Sequence, residues 1–358
     1  MNKYEDEKQQ VIQWLEDPNE LGKKPSKIEF TKEFTDKDGI HCKIFKYKKS
    51  VFSPWMLAIC SDSGVFSEME TYNEATEVED AQKLLDFLKE YWKRMANAAQ
   101  EKEEMDANAD PFHAFVLMKE PQGIPADFEK EMAKQWGITL ETDEEEKKEK
   151  DEDSDVDAQI YDVDGLRLIL GYMGFAVPNE EAEQNAQYNY MWKDAVEVTK
   201  IHQAHMIVTV MGEGSAAEKG FLYAKAITTL CRQDNTIGVY ANGVVYEPKL
   251  FIAMSEMIEA GELPLLDLVW FGLAGGEAGV SAYTCGMKCF GKDEIEIVNS
   301  KKSPGAIRDM LINIASYVIY EDVILHDGET IGLTAKQRLK IRKSEGFNVE
   351  GDSLKIEF

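Results

Sequence analysis

Pro178 to Gly212, PNEEAEQNAQYNYMWKDAVEVTKIHQAHMIVTVMG, reads as a helix feeding a strand with almost no loop between them. Ala182, Ala186, Asn189/Tyr190, Lys193 and Glu197 share one stripe. Ala195, Val198, Thr199 and His202 continue an apolar edge at three- and four-residue spacing, which predicts a helix running down to His202. Met206 to Met211 then carries no charge and is β-branched at Ile207, Val208, Thr209 and Val210. A strand buried on both faces, set in mid-sheet and bounded by Gly212, is expected.

Toward the N-terminus, Phe112 to Met118 predicts a strand. Phe128, Met132 and Trp136 line one side of a short helix that Gly137 ends. Gln159 to Val163 and Leu166 to Val177 form a strand pair around the Asp164-Gly165 turn. With the Pro178 helix and its strand the order is β-α-β-β-α-β, which predicts a ferredoxin-like unit with both helices on one face of the sheet. Between these elements lies an acidic run, residues 142–157, with ten acids, three lysines and Val156 as its one apolar residue. A solvated, mobile loop is expected there; it lacks the glycine and the spaced carboxylates of a calcium loop.

Downstream, helices are predicted at Ala216 to Cys231, Pro248 to Ala260 and Pro304 to Tyr320. Strands are predicted at Thr236 to Val245, Leu265 to Leu273, Ser281 to Phe290 and Glu294 to Val298, with two closing strands. Glu294 and Glu296 alternate with Ile295 and Ile297. Lys336, Arg338, Lys340 and Arg342 lie opposite Leu339 and Ile341, so a wet face on each strand and cross-strand pairing of the basic row with the two glutamates are expected. The fold class is α+β: a body over residues 111–358, with the ferredoxin-like unit and a second mixed sheet, preceded by a small α+β accessory domain over residues 1–105. In that domain Val11, Trp14 and Leu15 mark a helix, and Lys27 to Phe34 with Ile40 to Lys48 a hairpin with one wet face. Trp55 to Cys60 adds a more apolar strand. A long helix from about Val78 presents Ala81, Leu84, Leu85, Leu88, Tyr91, Trp92 and Met95 as one stripe packed on the hairpin.

The blocks FVLMKEP, PNEEAEQNAQYNYMWKDAVEV, HQAHMIVTV, GVYANGVV, YTCGMKCFGKDEIEI and HDGETIG follow one another from about Pro111 onward. In content and order they resemble the bacterial domain of unknown function family 4261. The resemblance implies a bacterial, cytosolic protein and brings no activity, cofactor or catalytic residue with it. The residues before this stretch lie outside the resemblance.

The formal charge of −27, from 67 acids against 40 bases, repels nucleic acid and anionic membrane and suits a basic protein partner. No apolar run is long enough to span a bilayer, and the opening residues lack a signal-peptide core, so a cytoplasmic location is expected. Cys42, Cys60, Cys231, Cys285 and Cys289 are odd in number and read as reduced, buried thiols.

His202 and His205 could share a metal if the helix continued through both. A helix from Glu180 to His202 would be about 33 Å long and would remove Glu180, Glu181 and Glu183 from that site, so structural hydrogen bonding at a helix end is expected. Cys285 and Cys289 fall on one face of a predicted strand, where they read as small buried residues rather than as a zinc pair or a regulatory disulfide. Gly212 to Gly220, GEGSAAEKG, lacks the Lys-Ser/Thr of a phosphate loop and reads as a turn with Ser215 as N-cap. His326 to Glu329 reads as a turn whose histidine and acids would need a pocket to act as a general base. Trp192, Trp270, Tyr188, Tyr190 and Tyr283 are assigned to the core. No cofactor is expected. The sequence favours a non-enzymatic protein-binding or accessory protein, of which an immunity-type role is one version. The rival is a metal-assisted hydrolase using His202 and His205 or the His326 to Glu329 turn.

Overall fold

The computed structural model describes residues 4–69, 71–142, 156–334 and 336–358. It divides into two units, Met1–Glu101 and Lys102–Phe358. The acidic run falls almost wholly outside the described residues.

The first unit runs α1 (Glu5–Leu15), β1 (Lys27–Thr35), β2 (His41–Lys48), β3 (Met56–Ser61), β4 (Phe66–Met69) and α2 (Glu77–Ala107), whose last turns belong to the second unit. Its strands form an antiparallel sheet in the order β1-β2-β3-β4. Asp36 closes the β1–β2 hairpin, its Oδ1 accepting from the amides of Asp38 and Ile40, and Gly39 supplies the positive φ of 83° that the turn needs. The wet face expected of the hairpin is missing from β2, and β3 is the apolar strand expected. Val11 and Leu15 of α1 pack with Phe45, Tyr47, Met56 and Ala58, while Ala81 and Leu85 of α2 pack with Ile44, Leu57 and Ile59, so helices cover opposite faces of the sheet.

The second unit continues with β5 (Phe112–Met118), α3 (Phe128–Trp136), β6 (Glu141–Thr142), β7 (Val156–Val163), β8 (Leu166–Met173), a 3-10 turn (Pro178–Glu180), α4 (Glu181–Ala186), α5 (Ala195–Thr199), β9 (Ala204–Gly212), α6 (Ala216–Cys231), β10 (Thr236–Ala241), β11 (Val244–Tyr246), α7 (Pro248–Glu259) and α8 (Leu265–Leu268). Then follow β12 (Trp270–Gly276), β13 (Gly279–Cys285), a 3-10 turn (Met287–Phe290), β14 (Glu294–Ser300), α9 (Pro304–Tyr320), β15 (Thr330–Ile331), β16 (Leu339–Glu345) and β17 (Asp352–Ile356). One sheet has the order β11-β10-β5-β9-β8-β7-β6, the other β12-β13-β14-β17-β16-β15. The second is mixed, because β14 and β17 run parallel and their neighbours antiparallel. The α+β class and the mixed second sheet therefore stand.

The ferredoxin-like order does not. That arrangement places the first strand between the third and the fourth, whereas here β9, the fourth, inserts between β5 and β8 and pairs antiparallel with both. The long helix predicted ahead of β9 is likewise broken into α4 and α5. Asn189 is the cause: its Oδ1 accepts from the amides of Met191 (2.9 Å) and Trp192 (3.1 Å), and its Nδ2 donates to the Val245 carbonyl (2.8 Å). This buried side chain substitutes a local turn for the next helical turn. The pieces bury Ala182, Ala186 and Ala195 against Leu117, Tyr240 and Val245 on one face of the sheet, and α6 packs on the other, against β9 and β5.

Three predicted strands are also revised. Thr236 to Val245 is a hairpin turning at Asn242-Gly243, both at positive φ (52° and 71°). Leu265 to Leu268 is helical, with strand starting at Trp270. The strand from Ser281 ends at Cys285, where Gly286 takes φ 118° and a 3-10 turn follows. An added Cβ on Gly286 would lie 2.5 Å from the Leu268 carbonyl oxygen, so glycine is required there.

Candidate functional site

The predicted histidine pair serves the backbone. Val177 N–H donates to His202 Nε2 (2.9 Å), so the ring proton sits on Nδ1 and donates to the Thr199 carbonyl (2.6 Å). His205 Nδ1 donates to the Phe175 carbonyl (2.8 Å), and burial pushes its pKa down, with that carbonyl and His202 as smaller influences. Both rings thus clamp the link between β8 and the 3-10 turn at Pro178, and neither ring nitrogen of His202 is free to ligate. The acids are not removed by a helix length as expected: with the helix broken, Glu183 folds back to 3.6 Å from His202 Nδ1. Among the described residues no three His, Cys, Asp or Glu side chains are grouped to hold a metal ion.

Cys285 ends β13 and Cys289 lies in the 3-10 turn beyond it, so they do not share a strand face; both are free thiols, half-buried, with pKa pushed up to about 12 by burial. Ser215 caps α6 as expected. Its hydroxyl accepts from Glu218 N–H, and the Glu218 carboxylate accepts from Ser215 N–H, so the chain's own carboxylate occupies the helix N-terminus. In the His326 turn, Glu329 accepts from His326 N–H and Asp327 from Lys343 N–H; both acids brace exposed backbone.

Glu294 and Glu296 contradict the wet-face reading. Both are buried: on β14, between β13 and β17, Glu294 meets the turn at Gly286-Met287 and Glu296 meets Phe347 and Asn348. Glu294 accepts from Thr284 Oγ1 and the amides of Gly286 and Met287; burial outweighs these bonds and raises its pKa. Glu296 accepts from the amides of Phe347 and Asn348, from Ser353 Oγ and from Lys355 Nζ at 3.2 Å. Burial raises its pKa, but these donors outweigh that and leave it lowered. Neither reaches the basic row, whose Lys340 pairs with Glu357 (3.8 Å). Trp270 fills the core, but Tyr188 and Tyr190 are exposed.

Two features escaped the sequence reading. Asp267 in α8 is 0% exposed, neither carboxylate oxygen has a hydrogen-bond partner among the described residues, and burial drives its pKa far up. Nothing in LLDL distinguishes it from a surface acid.

The other is the middle of α2, from Phe87 to Met95. Its apolar face is continuous, but the first turns alone bury it, through Ala81 and Leu85. Past those turns the stripe remains in solvent, with Tyr91 50% exposed, Trp92 46% and Met95 55%, and Phe87, 61% exposed, borders it. The signal was present as a stripe longer than short strands can cover. Four large apolar side chains within about three turns of one helix stay exposed, whereas exposed apolar residues that need no explanation are scattered singly. Lys83, Lys89, Lys93 and Arg94 flank it. Tyr and Trp dominate binding hot spots, so this face is the candidate functional site.

Residues 283–357 match the model of the family described as Domain of unknown function (DUF4261). The family resemblance read from the sequence, expected from about Pro111 onward, is therefore matched from the end of β13 through β14, α9 and the closing strands. Comparison with curated proteins and with solved structures returned no match. Among the described residues no helix is long and apolar enough to cross a membrane.

Proposed function

We propose that the protein is a non-enzymatic, cytoplasmic accessory protein that docks a partner protein on the middle turns of α2. The exposed stripe from Phe87 to Met95 carries this reading. Its spacing suggests the occupant's shape. Leu84, Leu88, Tyr91, Met95 and Ala98 recur at alternating four- and three-residue intervals, the seam by which one helix packs its side chains between those of another. The partner is an amphipathic helix of a basic protein, since the net charge of −27 favours approach of positive charge.

The test is affinity capture from native cells at low and moderate salt, followed by reconstitution from purified components, with wild type and the double variant Tyr91→Glu/Met95→Glu. A stoichiometric partner bound by wild type and lost by the folded variant is expected. A partner that the variant retains, or none at either salt, contradicts the reading.

A further inference from the structure

A cleft of about 450 Å³ opens beside α6 in the second unit. Such a volume accommodates a small organic ligand. Its apolar lining comes from separate elements: Phe221 of α6, Ile258 of α7, Val163 and Leu166 at the β7–β8 turn, and Ile138 after α3. Glu218, Phe221, Leu222 and Lys225 follow at three- and four-residue intervals, so one face of α6 forms a wall. Among the described residues that line the cleft, Lys225 is the one basic side chain. It is half-buried, and its ammonium has no ion pair or hydrogen bond among the described residues. Burial lowers its pKa. An ammonium partly stripped of water beside apolar walls gains more from a counter-ion than one in bulk solvent.

The other charged groups narrow the class of ligand. Asp164, Glu213 and Glu218 are exposed along the cleft, and Glu218 already accepts from Ser215. Three carboxylates disfavour a nucleotide or any polyanion, while a single negative charge that reaches Lys225 meets less repulsion. We propose that the cleft binds a small monocarboxylate with an apolar body, its carboxylate paired with Lys225 and its hydrocarbon against Phe221, Leu166 and Ile258. The cleft is lined by residues of the second unit alone and the α2 face by residues of the first, so each reading can fail without the other.

Calorimetric titration of the full chain with octanoate, 1-octanol and octyl phosphate tests it, with Lys225→Met as the variant; methionine keeps the stem and removes the charge. Wild type should bind one octanoate per chain, about tenfold more tightly than 1-octanol or octyl phosphate. Lys225→Met should lose about that tenfold preference over 1-octanol while still binding 1-octanol. Thermal unfolding of the variant checks that it folds, and Lys225→Gln serves as the second variant if it does not. Equal binding of octanoate and 1-octanol by wild type, unchanged octanoate binding by the variants, or no binding of any probe overturns the proposal.

Discussion

Asp267 and Glu296 are buried acids with opposite electrostatics, and pH separates them. Asp267 has a folded-state pKa far above its ordinary 3.8. The folded chain therefore holds this proton to higher pH than the unfolded chain, which releases it as pH rises past about 4. Its presence therefore costs more stability the further pH climbs from there toward the folded pKa. Asp267→Asn should gain on wild type by up to about 1.4 kcal/mol per pH unit above pH 4, measured by urea unfolding; a gap that does not change with pH would refute the raised pKa. Glu296 has its pKa lowered from 4.5. Its stabilisation is present above that unfolded value and is lost as pH falls through the lower folded one. Glu296→Gln removes the charge facing Lys355 and the backbone amides and should cost about 2–4 kcal/mol at neutral pH, with the deficit shrinking in acid. The pattern Glu-Ile-Glu-Ile could not announce this. Alternation reports one wet face only where a strand has one, and the donors to Glu296 lie more than fifty residues later in sequence.

Local elements were legible wherever their signals were local. Pro304 to Tyr320 is found with the bounds its Ser303 cap and Pro304 predict, and Ser303 Oγ accepts from Ala306 N–H. The broken helix before β9 was not legible, because Asn189 gains its decisive partner from Val245 on another element. For α2 the stripe was legible but its partner was not: a sequence shows how far an apolar face extends, not how far the sheet beneath it does. The two stretches should respond differently to substitution. Leu85→Ala, in the buried first turns, should lower stability by about 2–4 kcal/mol, whereas Tyr91→Glu, in the exposed middle turns, should stay within about 0.5 kcal/mol of wild type. Chemical denaturation of both variants measures this, and a large loss for Tyr91→Glu would mean that the stripe is part of the core.

At the scale of the molecule, composition and element order gave the mixed α+β class and the second mixed sheet. Sheet order remained hidden: inserting β9 between β5 and β8 changes long-range pairing and leaves the succession of helices and strands untouched. The family match at residues 283–357 falls on the closing sheet, while the exposed stripe falls in the first unit. Charge is also divided unevenly. Residues 1–101 carry 15 Lys and Arg against 20 Asp and Glu, so most of the net charge of −27 lies in the second unit. A basic partner would therefore be steered by the whole molecule and held by α2, with association weakening as salt rises and the apolar contact persisting. Hydrogen exchange of the reconstituted complex tests this division most directly. Amides from Phe87 to Met95 should exchange more slowly in the complex than in the free protein; unchanged exchange there, with protection confined to other elements, would contradict the docking face.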